Sequence, residues 1–455
     1  MSKLWDSLRT SFWFVPMLMI LLALLLAAVL ITIDRNVQLE GIEVLGALFP
    51  KGTQSAGTLL SAIATSILTV TGSIFSIVIV AIQLASGQFG PRMLRDFMHD
   101  RVNQFTLGVC GATFIYELAI LWAIEDSKDI SFTPQISVFV GFLLAIISTF
   151  VIIYFVHHIA EIVHADNLIA RIGHDSESSI HKILPKVDKQ KKDDWQTNAR
   201  PADQTRQIQE IPADFEEKAI ALPSHRSGYI QQIDYDALCA IAAQHHLILK
   251  LLYRPGQFAV ENSRLLYAYS EKGAKIAASP GLNPGLDIDI NKTFTCGNQR
   301  KPESDLEFPI KQLVEIAIRA ISPAVNDPFT AIRCIDRLTM LLCQIAQKAP
   351  QSVYRFDDDR QLRLIINPVT FDAMIRAAFD QIRQYGQTDV SVTLRLLEAI
   401  ERIGEQCHTQ QQKRSLRRQA DMIQRGGQNP DSIPEENDRQ DILQQYNKTI
   451  AALAQ

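Results

Sequence analysis

The chain has 455 residues, 47% hydrophobic and 21% charged, with a formal net charge of -4. At roughly 100–200 residues per domain there is room for two to four domains, and the averages exclude a collagen-like, low-complexity or wholly disordered chain. The near-neutral balance argues against a nucleic-acid binder held by bulk positive charge.

The charge is unevenly placed. Only 18 of the 94 charged side chains fall in the first 160 residues. Within that region four segments are long enough for a hydrocarbon core, which takes about 20 apolar residues in a helix. Phe12 to Ile33, Gly52 to Pro91 and Ser131 to Val156 carry no charge, and Val102 to Ile124 carries one, Glu117. The first run is too long for a secretory signal and lacks a small-residue cleavage site before Asp34-Arg35. Transmembrane helices are therefore expected at about residues 12–33, 59–85, 102–124 and 134–158, in a membrane domain of residues 1–165.

Lysines and arginines set the orientation. Lys3 and Arg9 precede the first span, Arg92, Arg95 and Arg101 fill the second loop, and Arg171, Lys182, Lys186, Lys189, Lys191 and Lys192 follow the fourth span. The other side has only Arg35, Lys51 and Lys128 among several acids. Both termini are expected in the cytoplasm, and the protein in a bacterial inner membrane. The six cysteines show no CxxC spacing, and five lie in the part expected in the cytoplasm, so they read as reduced thiols.

The second span is the most informative. At about 100° per residue, Thr58, Ser61, Thr65, Thr69, Gly72, Ser76, Gln83 and Gly87 fall within roughly 80° of one another. Ile79 and Val80 sit at the two edges of this stripe where it is interrupted. Two readings compete. Small and hydroxyl residues let helices pack closely, or the face lines a water-filled path with Ile79 and Val80 as an apolar constriction. Four helices cannot enclose a lumen alone, so a path implies a homo-oligomer.

Glu117 is the one ionisable group deep in a span, at the same depth as Thr65. An intramembrane carboxylate marks either a role in an ion or proton path, or a side chain bonded to hydroxyls or reaching toward Arg35. At the end of the fourth span, His157, Glu161 and His164 share a face at i, i+4, i+7. These are metal-ligand types, but no second cluster completes a site, so no metal is expected.

Residues 166–214 read as a juxtamembrane helix and polar linker. Residues 215–300 alternate strand, helix and strand, with Gly228 and Gly256 as turn glycines, and form a β-rich module. Residues 301–407 read as helical, with Asp327 as N-cap and Pro328 in the first turn of one helix. Asp336 is expected to pair with Arg333 or Arg337 on its own helix surface. Residues 408–455 form a polar helical tail whose last stripe, Ile442, Tyr446, Ile450 and Leu453, either clasps another subunit or packs on its own domain.

Three segments carry a family likeness: ASGQFGPRMLRDF (85–97), the stretch from Arg300 through Asp305 to Phe308, and ISPAVNDPFTA (321–331). Over roughly residues 10 to 400 the chain resembles the uncharacterised bacterial membrane-protein family called domain of unknown function 2254. Where that family tends to have Arg-Thr and Gln-Asp, this chain has Arg300-Lys301 and Ser304-Asp305. The resemblance implies four spans and a large cytoplasmic domain, and brings no activity.

The fold class expected is a polytopic α-helical membrane protein, four transmembrane helices followed by a cytoplasmic α+β domain. No nucleophile elbow, phosphate loop, zinc spacing or paired acids are legible, which points away from an enzyme and calls for no cofactor. Two functions remain open. One is an oligomeric ion channel or channel-like conduit lined by the second helix, with a regulatory cytoplasmic domain. The other is a non-conducting scaffold or sensor whose cytoplasmic domain binds a ligand or protein. The partners expected are the lipid bilayer, further copies of the chain and possible ions, not nucleic acid.

Overall fold

The four apolar runs are helices in the computed structural model, which describes residues 13–36, 53–89, 100–126, 131–163, 165–184, 211–270 and 284–454. They are α1 (Phe14–Asn36), α2 (Thr53–Phe89), α3 (Arg101–Ala123) and α4 (Gln135–Val163), each long and apolar enough to cross a membrane. A short antiparallel pair, β1 (Glu125–Asp126) and β2 (Ser131–Phe132), lies between α3 and α4 in the chain. α2 begins six residues before its apolar run, because the uncharged Thr53 to Thr58 stretch is compatible with a helix though not with hydrocarbon. Its 37 residues reach about 55 Å at 1.5 Å per residue, well beyond a hydrocarbon core of about 30 Å. Residues 90–97 of the first family-like segment lie outside the described residues, as do the linker residues 185–210.

α3 packs against the other three spans. Glycines permit this approach. A β-carbon at Gly108 would sit 2.4 Å from Met19 Sδ and 3.3 Å from Pro16 Cα of α1, and one at Gly111 would sit 3.3 Å from Ile20 Cδ1. Ala23 and Ala27 of α1, Ala56 and Leu60 of α2, Tyr116 and Ile120 of α3, and Val138 of α4 form the core.

The chain divides into two compact units, Met1–Leu168 and Ile169–Gln455. The elements after α4 are, in order, α5 (Ala165–Ile183), α6 (Phe215–Lys218), β3 (Ile220–Pro223), β4 (Gly228–Ile233), α7 (Tyr235–Gln244), β5 (Leu247–Leu251), β6 (Phe258–Ala259) and β7 (Arg264–Ser270). They continue as α8 (Pro284–Lys292), β8 (Phe294–Gly297), α9 (Glu307–Ala320), α10 (Pro328–Ala346), β9 (Tyr354–Phe356) and β10 (Leu362–Ile365). Four helices close the chain: α11 (Phe371–Tyr385), α12 (Val390–Glu405), α13 (Gln410–Gly427) and α14 (Glu436–Ala454).

Five strands form a mixed sheet in the order β3-β7-β5-β10-β9, with β5 and β10 parallel, and three form a second sheet, β6-β4-β8. The five-stranded sheet buries both faces, as a strand with a parallel neighbour does. Leu247, Leu249, Leu266 and Leu364 pack on one side, and Ile248, Tyr269, Leu362 and Ile365 on the other. β9 and β10 come from inside the segment expected to be helical. The β-rich residues 215–300 and the helical residues 301–407 therefore share one sheet rather than standing as separate modules. Each of these strands has at most four residues, too few for an alternating pattern to register.

Helix starts follow their caps. Asp327 Oδ1 accepts from Thr330 N at 3.1 Å and Oδ2 from Thr330 Oγ1 at 2.6 Å, with Pro328 in the first turn of α10. Thr409 and Gln412 form a reciprocal capping box at α13. From Ile169 onward α5 buries Ile169, Gly173, Ser176 and Ile180, and Leu184 just after it is buried too. Gly173 lies against Arg337 and Met340 of α10, and Gln344 Nε2 donates to Glu177 Oε1 at 3.1 Å.

Asp336 is an exception to the expected pairing. Its partner is Arg395 of α12, with Nη2 donating to Oδ2 at 2.9 Å and Nε 2.7 Å from Oδ1. Neighbours on the same helix surface compete poorly with a guanidinium that meets both carboxylate oxygens. The C-terminal helix packs on its own unit. Ile442, Thr449 and Leu453 of α14 are buried, and Thr449 Oγ1 donates to Leu397 O of α12 at 3.2 Å.

Candidate functional site

α2 presents two opposite faces. Ala56, Leu60, Ala64, Ile67 and Val78 are buried in the bundle, a spacing of three and four residues that keeps one side of the helix inward. On the opposite side Thr58, Ser61, Thr65, Thr69, Gly72, Ser76 and Gln83 are all exposed. Ile79 and Val80 beside them are 51% and 56% exposed. The side chain of position 87 lies outside the described residues.

The polar stripe therefore does not pack against the chain's own spans. Gly72 makes the contrast plain: a β-carbon there would meet no atom within 4 Å, whereas Gly108 and Gly141 are pressed against side chains of neighbouring helices. Several hydroxyls turn back on their own helix. Thr58 donates to Gln54 O at 2.8 Å, Thr69 to Thr65 O at 2.7 Å, and Ser76 to Gly72 O at 3.0 Å. This i-to-i−4 bonding satisfies the hydroxyl proton without water and leaves the oxygen lone pairs facing outward.

Glu117 is elsewhere. Its side chain is 0% exposed, against Gly141 of α4, and neither carboxyl oxygen has a hydrogen-bond partner among the described residues. The structure thus does not bring Glu117 to the stripe where Thr65 lies, and neither hydroxyl bonding nor a reach toward Arg35 accounts for it. Arg35 instead stands over the Phe132 ring at 5.6 Å. One turn away, Thr113 and Ser148 share a hydrogen bond of 2.8 Å across the same α3–α4 seam.

Two further anchors were missed by the sequence reading. Asp34, at the end of α1, accepts from Ile136 N at 3.0 Å, Ser137 N at 2.9 Å and Ser137 Oγ at 2.6 Å, and so caps α4 across about a hundred residues. Asp100 caps α3 through Val102 N at 2.7 Å and meets His158 Nε2 at 3.2 Å. Asp100 stands just before the apolar run of α3, which is the N-cap signal, whereas Asp34 follows the run of α1 and has no local sign of its partners on α4. His157 and Glu161 do share a face, 3.4 Å apart and exposed; His164 lies outside the described residues.

In the second unit, the family-like stretch forms a buried ion pair. Arg300 Nε donates to Asp305 Oδ2 at 2.6 Å, Asp305 Oδ1 accepts from Glu307 N at 3.1 Å, and the guanidinium lies 5.6 Å from the Phe308 ring centre. Gly256, at φ +90°, brings the Pro255-Gly256 turn so close that a β-carbon would overlap Asp305 Oδ2 at 2.0 Å. Burial pushes the Asp305 carboxyl above its ordinary range, and Arg300 pulls the other way. Arg254 Nη2 pairs with Glu307 at 3.1 Å on the same helix start. These contacts staple α9 to the β-rich part, and the ISPAVNDPFTA stretch supplies the α10 cap. Both motifs carry architecture.

The motif positions agree with a wider comparison: the family model described as a predicted membrane protein, DUF2254, matches residues 9–402. The chain belongs to the DUF2254 family. Uncharacterized proteins of Mycobacterium tuberculosis and Mycobacterium bovis are each 27% identical over 443 residues, covering 96% of this chain and 80% of theirs. No solved structure matches the chain. As a DUF2254 member it is a predicted membrane protein with four apolar helices, and the matched residues end before α13 and α14.

Proposed function

We propose that this DUF2254 protein is an oligomeric conduit for ions, in which the exposed face of α2 meets the same face of other copies around an axis. The observation that carries this reading is the position of the stripe. Seven polar or small residues spanning Thr58 to Gln83 are exposed on the side of α2 opposite its packed face. In lipid, exposed polar groups are costly unless another chain or water receives them. A ring of copies gives each stripe such a setting, and closed symmetry is the common route to it. Ile79 and Val80 narrow the path as an apolar constriction that can close by dewetting. The second unit, on the side that the flanking Lys and Arg residues assign to the cytoplasm, regulates it.

A second reading is favoured by one observation. Because Thr58, Thr69 and Ser76 satisfy their hydroxyl protons within the helix, the same face also suits dry contact between copies in a non-conducting scaffold or sensor. Bilayer recording separates the two. Wild-type chain in planar bilayers should conduct, and Ile79→Ser or Val80→Ser should raise open probability. Silent bilayers with all three proteins, or a monomer in mild detergent, would remove the conduit.

A further inference from the structure

We infer that the groove between α3 and α4 at the Arg101 end holds a membrane phospholipid, with one acyl chain between the helices and the phosphate on Arg101. The groove has a volume of about 480 Å³ and is lined by Arg101, Val102, Phe105, Phe150, Val151 and Tyr154. Thr106, the remaining lining residue, spends its hydroxyl on Val102 O at 2.8 Å and presents an apolar surface. Phe105, Phe150 and Tyr154 are 50%, 68% and 57% exposed. The rings flank the space between the two helices and leave it open to the bilayer.

The one charged side chain among these lining residues selects the head group. Arg101 is exposed, and its side chain makes no ion pair or hydrogen bond among the described residues. Its neighbouring acid is already engaged, with Asp100 Oδ1 taking Val102 N at 2.7 Å and Oδ2 facing His158 at 3.2 Å. Arg101 is also the first residue of α3, where a cation opposes the helix dipole and an anion complements it. A phosphate in front of Arg101 relieves both, and guanidinium binds phosphate through two parallel donors. Tyr154 lies parallel to the His158 ring at 6.1 Å, which orients it at the membrane boundary where such rings gather.

From Arg101 to Thr106 the groove descends five residues, about 7.5 Å along α3, a depth that only the upper part of an acyl chain reaches from the head-group level. An acyl chain in a bilayer is already among other chains, so the hydrophobic effect adds little on entry. Retention rests on the phosphate contact and on packing against the aromatic rings. Free phosphate lacks the second of these.

The full-length chain, extracted in mild detergent and examined by native mass spectrometry, should carry phospholipid in a saturable one-to-one adduct. Arg101→Gln should lower occupancy at least fivefold and Arg101→Lys less. Val151→Trp, which fills the groove and leaves Arg101 in place, should also lower it fivefold, with elution volume and helical content unchanged for all three. Short-chain phosphatidylglycerol and phosphatidylethanolamine, added separately, should displace the native lipid, and inorganic phosphate should not. Equal occupancy in wild type, Arg101→Gln and Val151→Trp would overturn the assignment. So would displacement by inorganic phosphate alone, or a Val151→Cys chain that cross-links to a second copy and so shows the groove covered by protein.

Discussion

Glu117 on α3 lies against Gly141 on α4 so closely that a β-carbon at 141 would sit 2.8 Å from Oε1 and 2.9 Å from Oε2. The glycine is what lets the two spans meet over a carboxyl group with no exposed surface. Gly141→Ala should therefore destabilise the membrane domain by about 1–3 kcal/mol, the usual cost of overpacking, and lower the thermal midpoint in detergent. In a Glu117→Ala background the same substitution should cost much less, because the atoms it meets are gone. Equal costs in the two backgrounds would show that Gly141 serves something other than Glu117.

Asp34 holds the first turn of α4 through three hydrogen bonds. Asp34→Ala leaves those donors without their acceptor and should cost about 1–2 kcal/mol, as the loss of a cap does. Asp34→Asn keeps one acceptor oxygen and should fall between. Hydrogen exchange at Ile136 and Ser137 should speed up in Asp34→Ala before the rest of α4 responds. Unchanged exchange there would mean that the cap is dispensable.

The Arg300–Asp305 pair is nearly enclosed, with side chains 12% and 3% exposed. Removing one partner strands the other charge, so Asp305→Ala should cost about 3–5 kcal/mol. The double replacement Arg300→Met with Asp305→Leu should recover most of that loss. Failure of the double variant to recover would indicate that the Gly256 turn needs the carboxylate itself.

The same carboxyl gives a pH dependence. Burial raises its pKa in the folded chain, against the pull of Arg300. The folded state thus keeps this proton to a higher pH than the unfolded chain does. Its contribution to stability is greatest below the unfolded carboxylate value and declines as pH rises through the folded one. Thermal midpoints across the carboxylate range should fall more with rising pH in wild type than in Asp305→Asn. A wild-type slope equal to or above that of Asp305→Asn would contradict this sign.

The four spans were legible because an almost charge-free run of about 20 residues has the length that a hydrocarbon core demands, and the α10 start was legible because Asp327-Pro328 is a local signal. What escaped the sequence depends on distant partners. Nothing near Asp34 announces Ser137, nothing near Asp336 announces Arg395, and β10 finds β5 across more than a hundred residues. The stripe on α2 was legible as a pattern from its period. Its direction was not, because a helix face carries no mark of which side its own bundle covers. Only the packing of Ala56, Leu60 and Ile67 against neighbouring spans settles that Thr65 and Thr69 face away.

Cysteine accessibility along α2 tests the central claim most directly. Single substitutions at Thr65, Thr69 and Ser76 sample the stripe, and those at Val70 and Ile77, 41% and 67% exposed, sample the apolar surface beside it. With the chain in liposomes, a membrane-impermeant, water-soluble thiol reagent should modify the first three and leave the last two unreacted, since only the stripe would border water. Protection of all five positions would contradict a water-filled path along α2.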